Sequence, residues 1–175
     1  QEVPQVRLND DYDEMLLHLA KYMNTDLVWI HPSQTVNEGS LAYALNQMGI
    51  PTMVTESGSA FRIRYEYCRQ IIDGIFSVMA ELGIWKGKTN GKTDVPFINE
   101  DKICYLNCEF SGLFVSYKRL KDRVKKGEII GIIQNPLMGA TEEEVIAPVD
   151  GILMTLREHP SVAEGSLVAR VIGGG

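Results

Sequence analysis

The chain has 175 residues, of which 45% are hydrophobic and 23% are charged, a composition typical of a globular protein with one good core or two small ones. Its formal net charge is -6, and its basic residues are interspersed with acidic ones. Nucleic-acid binding is therefore excluded, because it needs clustered Lys and Arg. No apolar stretch approaches the ~20 residues that span a bilayer, the N-terminus lacks a signal pattern, and three cysteines do not make a disulfide framework. We therefore expect a cytoplasmic protein that binds neither nucleic acid nor membrane.

The first half of the chain alternates helical and strand patterns, as in an α/β layer with a mainly parallel sheet. In chain order, the predicted elements are a helix capped by Asp10 or Asp11 and ending near Asn24, a strand over 26–30, a helix over 39–48, a strand over 50–55 and a helix over 65–82. Apolar stripes on the first and last helices consist of Met15, Leu16, Leu19 and Met23, and of Ile71, Ile72, Ile75, Phe76 and Met79. Residues 1–85 are therefore predicted to form an α/β domain.

The composition changes after Trp85, where residues 86–100 have no hydrophobic period and are interpreted as a linker. Beyond it, residues 101–175 show short alternating segments separated by turn residues, which predict a small all-β domain. The predicted strands cover 103–110, 113–117, 128–133, 144–147, 151–156 and 167–172.

A weak internal repeat within this β domain relates residues 124–131 to residues 162–169, since each has a Val, a turn Gly and a strand. Between the two copies, Asp150-Gly151 is predicted to form a hairpin turn with positive φ. The arrangement resembles the barrel-sandwich hybrid of biotinyl and lipoyl carrier domains. Those carriers need a modifiable lysine at a hairpin tip, and residues 134–144 contain no lysine, which argues against a carrier.

Glu56 is the first candidate functional residue, because it ends a predicted apolar strand and is followed by the flexible Ser57-Gly58 turn. Ligands of open α/β sheets gather at the carboxyl edge of the strands. A glutamate in this place must be paired or solvated. Two interpretations stay open: Glu56 bonds the following loop, or it acts in catalysis.

A set of short motifs extends over almost the whole chain. Its members are Pro4-Gln5-Val6-Arg7, Gly39-Ser40-Leu41, Gly49-Ile50-Pro51 with the strand to Glu56, Ile72-Asp73-Gly74-Ile75 to Leu82-Gly83, Ser111-Gly112-Leu113-Phe114, and the turns within 127–133 and 147–151. Together they resemble the succinylglutamate desuccinylase/aspartoacylase family. The resemblance implies that residues 1–85 are the C-terminal part of a zinc-carboxypeptidase-like domain. It also implies a zinc-dependent deacylase in which Glu56 is the general base.

The same resemblance implies a zinc site made of a His-x-x-Glu pair and a later histidine. The chain has His18, His31 and His159, and none of them stands three residues before a glutamate. We therefore expect the zinc ligands upstream of Gln1, no zinc bound to this chain, and no activity from this chain alone. The three histidines are interpreted as structural.

Substrate recognition departs from the family pattern, because many members have an arginine just after Gly-Ser-Leu and this chain has Ala42. Arg62 and Arg64 are candidates to hold a substrate carboxylate, with surface ion pairing as the alternative for both. The predicted function is hydrolysis of an amide bond in an N-acyl amino acid or a similar small acyl amide. The alternatives are a non-catalytic binding or assembly module and an inactive family member. An exposed sheet edge would favour self-association into a homo-oligomer.

Overall fold

A computed structural model of the chain describes residues 1–32 and 38–173. Its α helices in these ranges are α1 (Glu14–Ala20), α2 (Leu41–Gln47) and α3 (Tyr65–Glu81). Its strands are β1 (Glu2–Asn9), β2 (Leu27–His31), β3 (Val54–Gly58), β4 (Phe97–Asn99), β5 (Ile103–Asn107), β6 (Gly112–Ser116), β7 (Arg123–Val124), β8 (Ile129–Gln134), β9 (Thr141–Ile146), β10 (Gly151–Leu156), β11 (Ser161–Val162) and β12 (Leu167–Gly173). The chain divides into an α/β unit, Pro4–Glu100, and a β unit, Gln1–Val3 with Asp101–Gly175.

The α/β unit is built on a sheet that contains β1 and β2, and β2 is buried over four consecutive residues, Leu27 to Ile30, as parallel strands often are. These two strands pair in parallel, with Val6 opposite Val28, and β4 pairs in parallel with β2. β3 pairs with β1. The predicted mixed α/β class is thus confirmed. Within the range predicted as a linker, residues 97–99 form β4. The core that joins this sheet to α1 includes Val6, Leu8, Leu16, Ala20, Val28 and Ile30.

The first helix begins later than predicted. Asp13 is its N-cap, and the Asp13 carboxylate accepts a hydrogen bond from the N–H of Met15 at 2.8 Å. The prediction that Asp10 or Asp11 caps this helix was wrong, because the chain leaves β1 through a turn closed by the N–H of Tyr12 before it becomes helical.

The third helix packs through small residues rather than through its predicted apolar stripe. Gly74 and Ser77 are its buried residues, and a Cβ on Gly74 would lie 2.0 Å from the carbonyl oxygen of Met23. Ile72, Ile75 and Phe76 are 51%, 46% and 36% exposed. These three residues form an exposed apolar face that we call the α3 stripe. In the described ranges, no helix, α3 included, combines the length and apolarity needed to cross a membrane.

The strand that carries Glu56 is displaced from its predicted range of 50–55. Asn46, near the end of α2, donates a hydrogen bond from its amide to the carbonyl oxygen of Thr52 at 3.1 Å and accepts one from the N–H of Thr52 at 2.8 Å. This clamp engages the backbone of Thr52, and pairing starts only at Val54. Glu56 is therefore in the middle of β3, and the prediction that it ends the strand was wrong.

The β unit consists of two antiparallel groups of strands around one core. β10 pairs with β12 and β7, and β12 pairs with β5. β6 pairs with β11 and β8, and β8 pairs with β9. The shared core includes Leu106, Phe114, Ile130, Ile133, Leu153, Val168 and Val171.

The predicted internal repeat is confirmed in this unit. Gly127 and Gly165 both have positive φ, at 85° and 80°, and each lies in the turn between a two-residue strand and a long one. The prediction of a turn with positive φ at Gly151 was wrong. Gly151 is the first residue of β10 and does not have a positive φ. A Cβ at Gly151 would lie 2.1 Å from the carbonyl oxygen of Ile172. Close backbone approach therefore accounts for this glycine.

Candidate functional site

Glu56 has a partly exposed carboxylate and lies on β3, which pairs with β1 of the α/β unit. Its side chain is 42% exposed, and its Oε2 lies 2.5 Å from Nη2 of Arg7. Arg7 comes from β1, the strand with which β3 pairs. The sequence left two interpretations of Glu56 open. The structure shows its carboxylate paired with Arg7 of a neighbouring strand rather than with the loop that follows, and the catalytic interpretation stays a prediction.

Arg7 is itself held by the next strand of the sheet. It is a charged residue between the buried Val6 and Leu8, so its side chain projects from the opposite face of β1. The parallel register places Arg7 beside Trp29 of β2, and the guanidinium carbon lies 4.7 Å from the centroid of the Trp29 ring. This geometry is a cation–π contact, which fixes a planar guanidinium well.

Glu100 continues the same line of contacts after β4. The indole Nε1 of Trp29 donates a hydrogen bond to Oε2 of Glu100 at 2.8 Å, and Trp29 is only 1% exposed. The ring of His31 stacks on Trp29 at 4.1 Å, with its Nδ1 3.7 Å from Oε2 of Glu100. The contacts therefore run without a break from Glu56 through Arg7 and Trp29 to Glu100.

The two arginines proposed from the sequence lie in the segment that follows β3. Arg62 is exposed and its backbone bridges to Ser59. Nη1 of Arg64 lies 3.8 Å from Oε1 of Glu66, and its guanidinium carbon lies 5.9 Å from the ring centroid of Tyr67. The guanidinium in contact with Glu56 belongs to Arg7, which the sequence analysis did not single out. A charged residue inside the apolar run of β1 was the available signal.

A cavity of about 410 Å³ lies elsewhere in the α/β unit, at the carboxyl end of β1. Polar side chains line much of it, among them Asn9, Tyr12, Tyr43 and Asn46. It occupies the edge of the parallel strands where ligands of such sheets gather. Glu56 is not among the described residues that line it.

The histidines have partners of their own. His18 Nε2 lies 2.7 Å from Oε1 of Glu81, and the hydrogen bonds from His18 and Tyr22 hold the pKa of Glu81 below its usual value. The carbonyl oxygen of His159 accepts a hydrogen bond from Nε of Arg157. Residues 1–32 and 38–173 contain no group of three or more His, Cys, Asp or Glu that could hold a metal ion. These residues do not by themselves fit the zinc site that the resemblance implies.

Comparisons with known proteins identify the class of fold. Neither a scan of protein-family models nor a search of curated proteins gives a match for this chain. Solved structures do match it, and many of them are succinylglutamate desuccinylase/aspartoacylase family proteins. The resemblance found in the sequence is therefore confirmed at the level of the fold.

Three of these structures cover nearly all of the chain. A succinylglutamate desuccinylase/aspartoacylase from Rhodobacter sphaeroides has 22% identity and a TM-score of 0.78, over 98% of this chain and 54% of that one. The ectoine utilization protein EutE (DoeB) from Ruegeria pomeroyi, with product bound, has 21% identity and a TM-score of 0.82, over 97% and 53%. A succinylglutamate desuccinylase from a Silicibacter species has 22% identity and a TM-score of 0.83, over 98% and 54%. The chain thus spans about half the length of the structures it matches.

Proposed function

We propose that this chain belongs to a deacylase that hydrolyses the amide bond of an N-acyl amino acid or a similar small acyl amide, with Glu56 as the general base. The observation that carries this proposal is an accessible carboxylate, 42% exposed and paired with Arg7, in a fold shared with a succinylglutamate desuccinylase and with an ectoine utilization protein. The match also supports the finer fold assignment, a zinc-carboxypeptidase-like part followed by a barrel-sandwich-like β unit.

The proposed chemistry needs one proton acceptor that later becomes a donor. Glu56 takes a proton from water while the water oxygen bonds to the amide carbon. The C–N bond then breaks, and Glu56 returns the proton to the departing nitrogen. The products are a carboxylic acid and an amine, which become a carboxylate and an ammonium when the acid proton moves to the amine, and Glu56 ends in its starting state. Arg62 and Arg64 remain the proposed contacts for a substrate carboxylate.

The proposal extends to zinc and to partners. Zinc dependence follows from the resemblance, but the described residues supply no ligand set. The metal would be held by residues outside them, so the steps above are assigned to Glu56 alone. We further propose a cytoplasmic protein with a small-molecule substrate, no nucleic-acid or membrane partner, and self-association through an exposed sheet edge.

The direct test is Glu56→Gln in the natural protein at full length, assayed on a panel of N-acetyl and N-succinyl amino acids. We expect turnover to fall by about 10²- to 10⁴-fold, the usual contribution of a general base. The matched control is Glu14→Gln, which changes another exposed glutamate of the same unit and should leave turnover unchanged. Turnover of Glu56→Gln equal to that of the control would remove Glu56 from the mechanism.

A further inference from the structure

We propose that Arg7 is a positioning residue that holds the Glu56 carboxylate in place for proton transfer. This inference rests on the proposed function and adds to it a residue that does not touch the substrate itself. Arg7 acts only through Glu56.

The first support is the relative burial of the two partners. The Arg7 side chain is 24% exposed and the Glu56 side chain 42%, so the arginine is the more enclosed partner of the pair. A free glutamate side chain loses rotamer entropy when it is fixed. A charge-assisted bond to a fixed guanidinium removes part of that freedom before the reaction begins.

The second support is that Arg7 has its own supports. The guanidinium lies over Trp29 at 4.7 Å, and the indole of Trp29 is bonded in turn to Glu100 at 2.8 Å. These contacts fix the plane of the guanidinium as well as its charge. A lysine in this place would keep the charge but lose the planar stacking and the fork of donors.

The third support is the difference from the other arginine near Glu56 in the sequence. Arg64 pairs with Glu66, two residues away and 64% exposed, at 3.8 Å. That contact is local and solvated, and such pairs fix little. The Arg7 pair joins two strands of one sheet, so its geometry is set by the fold.

One experiment needs only this chain and no substrate. Carboxylates are labelled with a carbodiimide and glycine ethyl ester, and the rate at Glu56 is followed by mass spectrometry in the unsubstituted chain and in Arg7→Met. Release of the carboxylate should raise the Glu56 rate about two- to fivefold, the range that an exposed ion pair is worth. The rate at Glu2, which pairs with Arg170, should not change. Arg170→Met should reverse the pattern. An unchanged Glu56 rate in Arg7→Met overturns the inference.

A second experiment uses turnover by the natural protein at full length. We expect Arg7→Met to lower kcat about 10- to 100-fold, as a displaced catalytic group does, with KM changed less than about threefold because Arg7 does not bind substrate. Arg7→Lys keeps the positive charge and should recover part of the loss, and it serves as the second variant if Arg7→Met fails to fold. Arg7→Met should have no further effect in a Glu56→Gln background.

The outcomes separate this inference from the proposed function. If Glu56→Gln is inactive while Arg7→Met and Arg7→Lys keep full kcat, the positioning role is wrong and the general base stands. If Glu56→Gln is fully active, both are wrong. Arg170→Met provides the control for stability, because it breaks a similar pair in the β unit and should not alter kcat per folded molecule.

Discussion

Two arginines of this chain are held in nearly the same way, one in each unit. Arg7 pairs with Glu56 and lies over Trp29 at 4.7 Å. Arg170 pairs with Glu2 at 3.0 Å and lies over Tyr105 at 4.9 Å. In both places a guanidinium is fixed between a carboxylate and an aromatic ring. The guanidinium surroundings are therefore alike, and the difference lies in the carboxylates.

Glu2 has both of its oxygens engaged, whereas Glu56 presents a more open carboxylate. Oε1 of Glu2 accepts from Arg170, and Oε2 accepts from the hydroxyl of Thr155 at 2.6 Å. The Glu2 side chain is 21% exposed, half the 42% of Glu56. A saturated and enclosed carboxylate stabilises the fold, while an accessible one can still meet a reactant. The comparison thus distinguishes a structural ion pair from a candidate reactive one.

The largest expected effect is a loss of stability in the α/β unit, which carries Glu56. In Gly74→Ala, the new Cβ would lie 2.0 Å from the backbone oxygen of Met23, so we expect a loss of about 3 kcal/mol of unfolding free energy. This exceeds the ~1 kcal/mol that alanine gains in helix propensity. Both tryptophans, Trp29 and Trp85, lie in the α/β unit, so tryptophan fluorescence during urea unfolding reports on that unit.

The control for this substitution is Ala80→Gly on the same helix, which should lose only about 1 kcal/mol through helix propensity. Equal losses for the two variants would mean that α3 moves away from Met23 easily and that the close approach at Gly74 is unimportant.

A smaller loss of unfolding free energy is expected when each of the two carboxylates, Glu2 and Glu56, is neutralised in turn. Glu2→Gln removes the carboxylate charge that faces the mostly buried Arg170, and we expect about 2 kcal/mol of destabilisation, less than for a fully buried pair. Glu56→Gln should cost less than about 1 kcal/mol, because its carboxylate is far more exposed. The measurement is urea unfolding of both variants followed by circular dichroism. If Glu56→Gln lowers the free energy of unfolding more than Glu2→Gln does, the Arg7 pair is mainly structural. The contrast between the Glu2 and Glu56 carboxylates is then lost.

The smallest expected effect is at the partly exposed ion pair of Lys118 and Glu128 in the β unit. The hydrogen bonds from the Lys118 ammonium and from the N–H of Lys125 hold the pKa of Glu128 below its usual value. A lowered folded-state pKa contributes stability above the unfolded value, and that stability is lost as the pH falls through the folded value. Glu128→Gln should therefore lower the Tm at pH 7, and the difference from the unsubstituted chain should shrink toward pH 3.

The repeated turn offers the matched control. There the hydroxyl of Ser166 accepts from the N–H of Ala163, so the same backbone group is satisfied by a neutral side chain. Ser166→Ala should lower the Tm equally at both pH values. A constant difference for Glu128→Gln as well would show that its charge contributes nothing.

Local pattern was enough for much of the fold. The helix predicted over 65–82 and the strand predicted over 151–156 match α3 and β10 closely, because their periods and flanking glycines are local signals. β1 was missed, since Pro4 and Arg7 interrupt its apolar run. The displaced start of β3 depends on the Asn46 clamp, a side-chain contact that no hydrophobic period encodes.

The candidate site was only partly accessible to the same reasoning. Glu56 was found through motif resemblance, and its role remains a prediction. Arg7 lies far from it along the chain, and their contact requires the pairing of β1 with β3. Pairing between distant strands is set by tertiary packing rather than by local propensity. Arg62 and Arg64 were chosen because they follow Glu56 in the sequence, and their role in binding a substrate carboxylate remains a prediction.

The α3 stripe has a practical consequence for work with this chain. Ile72, Ile75 and Phe76 present apolar side chains to solvent in the folded state, and fluorescent dyes such as anilinonaphthalene sulfonate bind exposed apolar surface of this kind. A correctly folded preparation should therefore brighten the dye without being partly molten. Near-ultraviolet circular dichroism from the buried Trp29 is the better indicator that tertiary packing is intact.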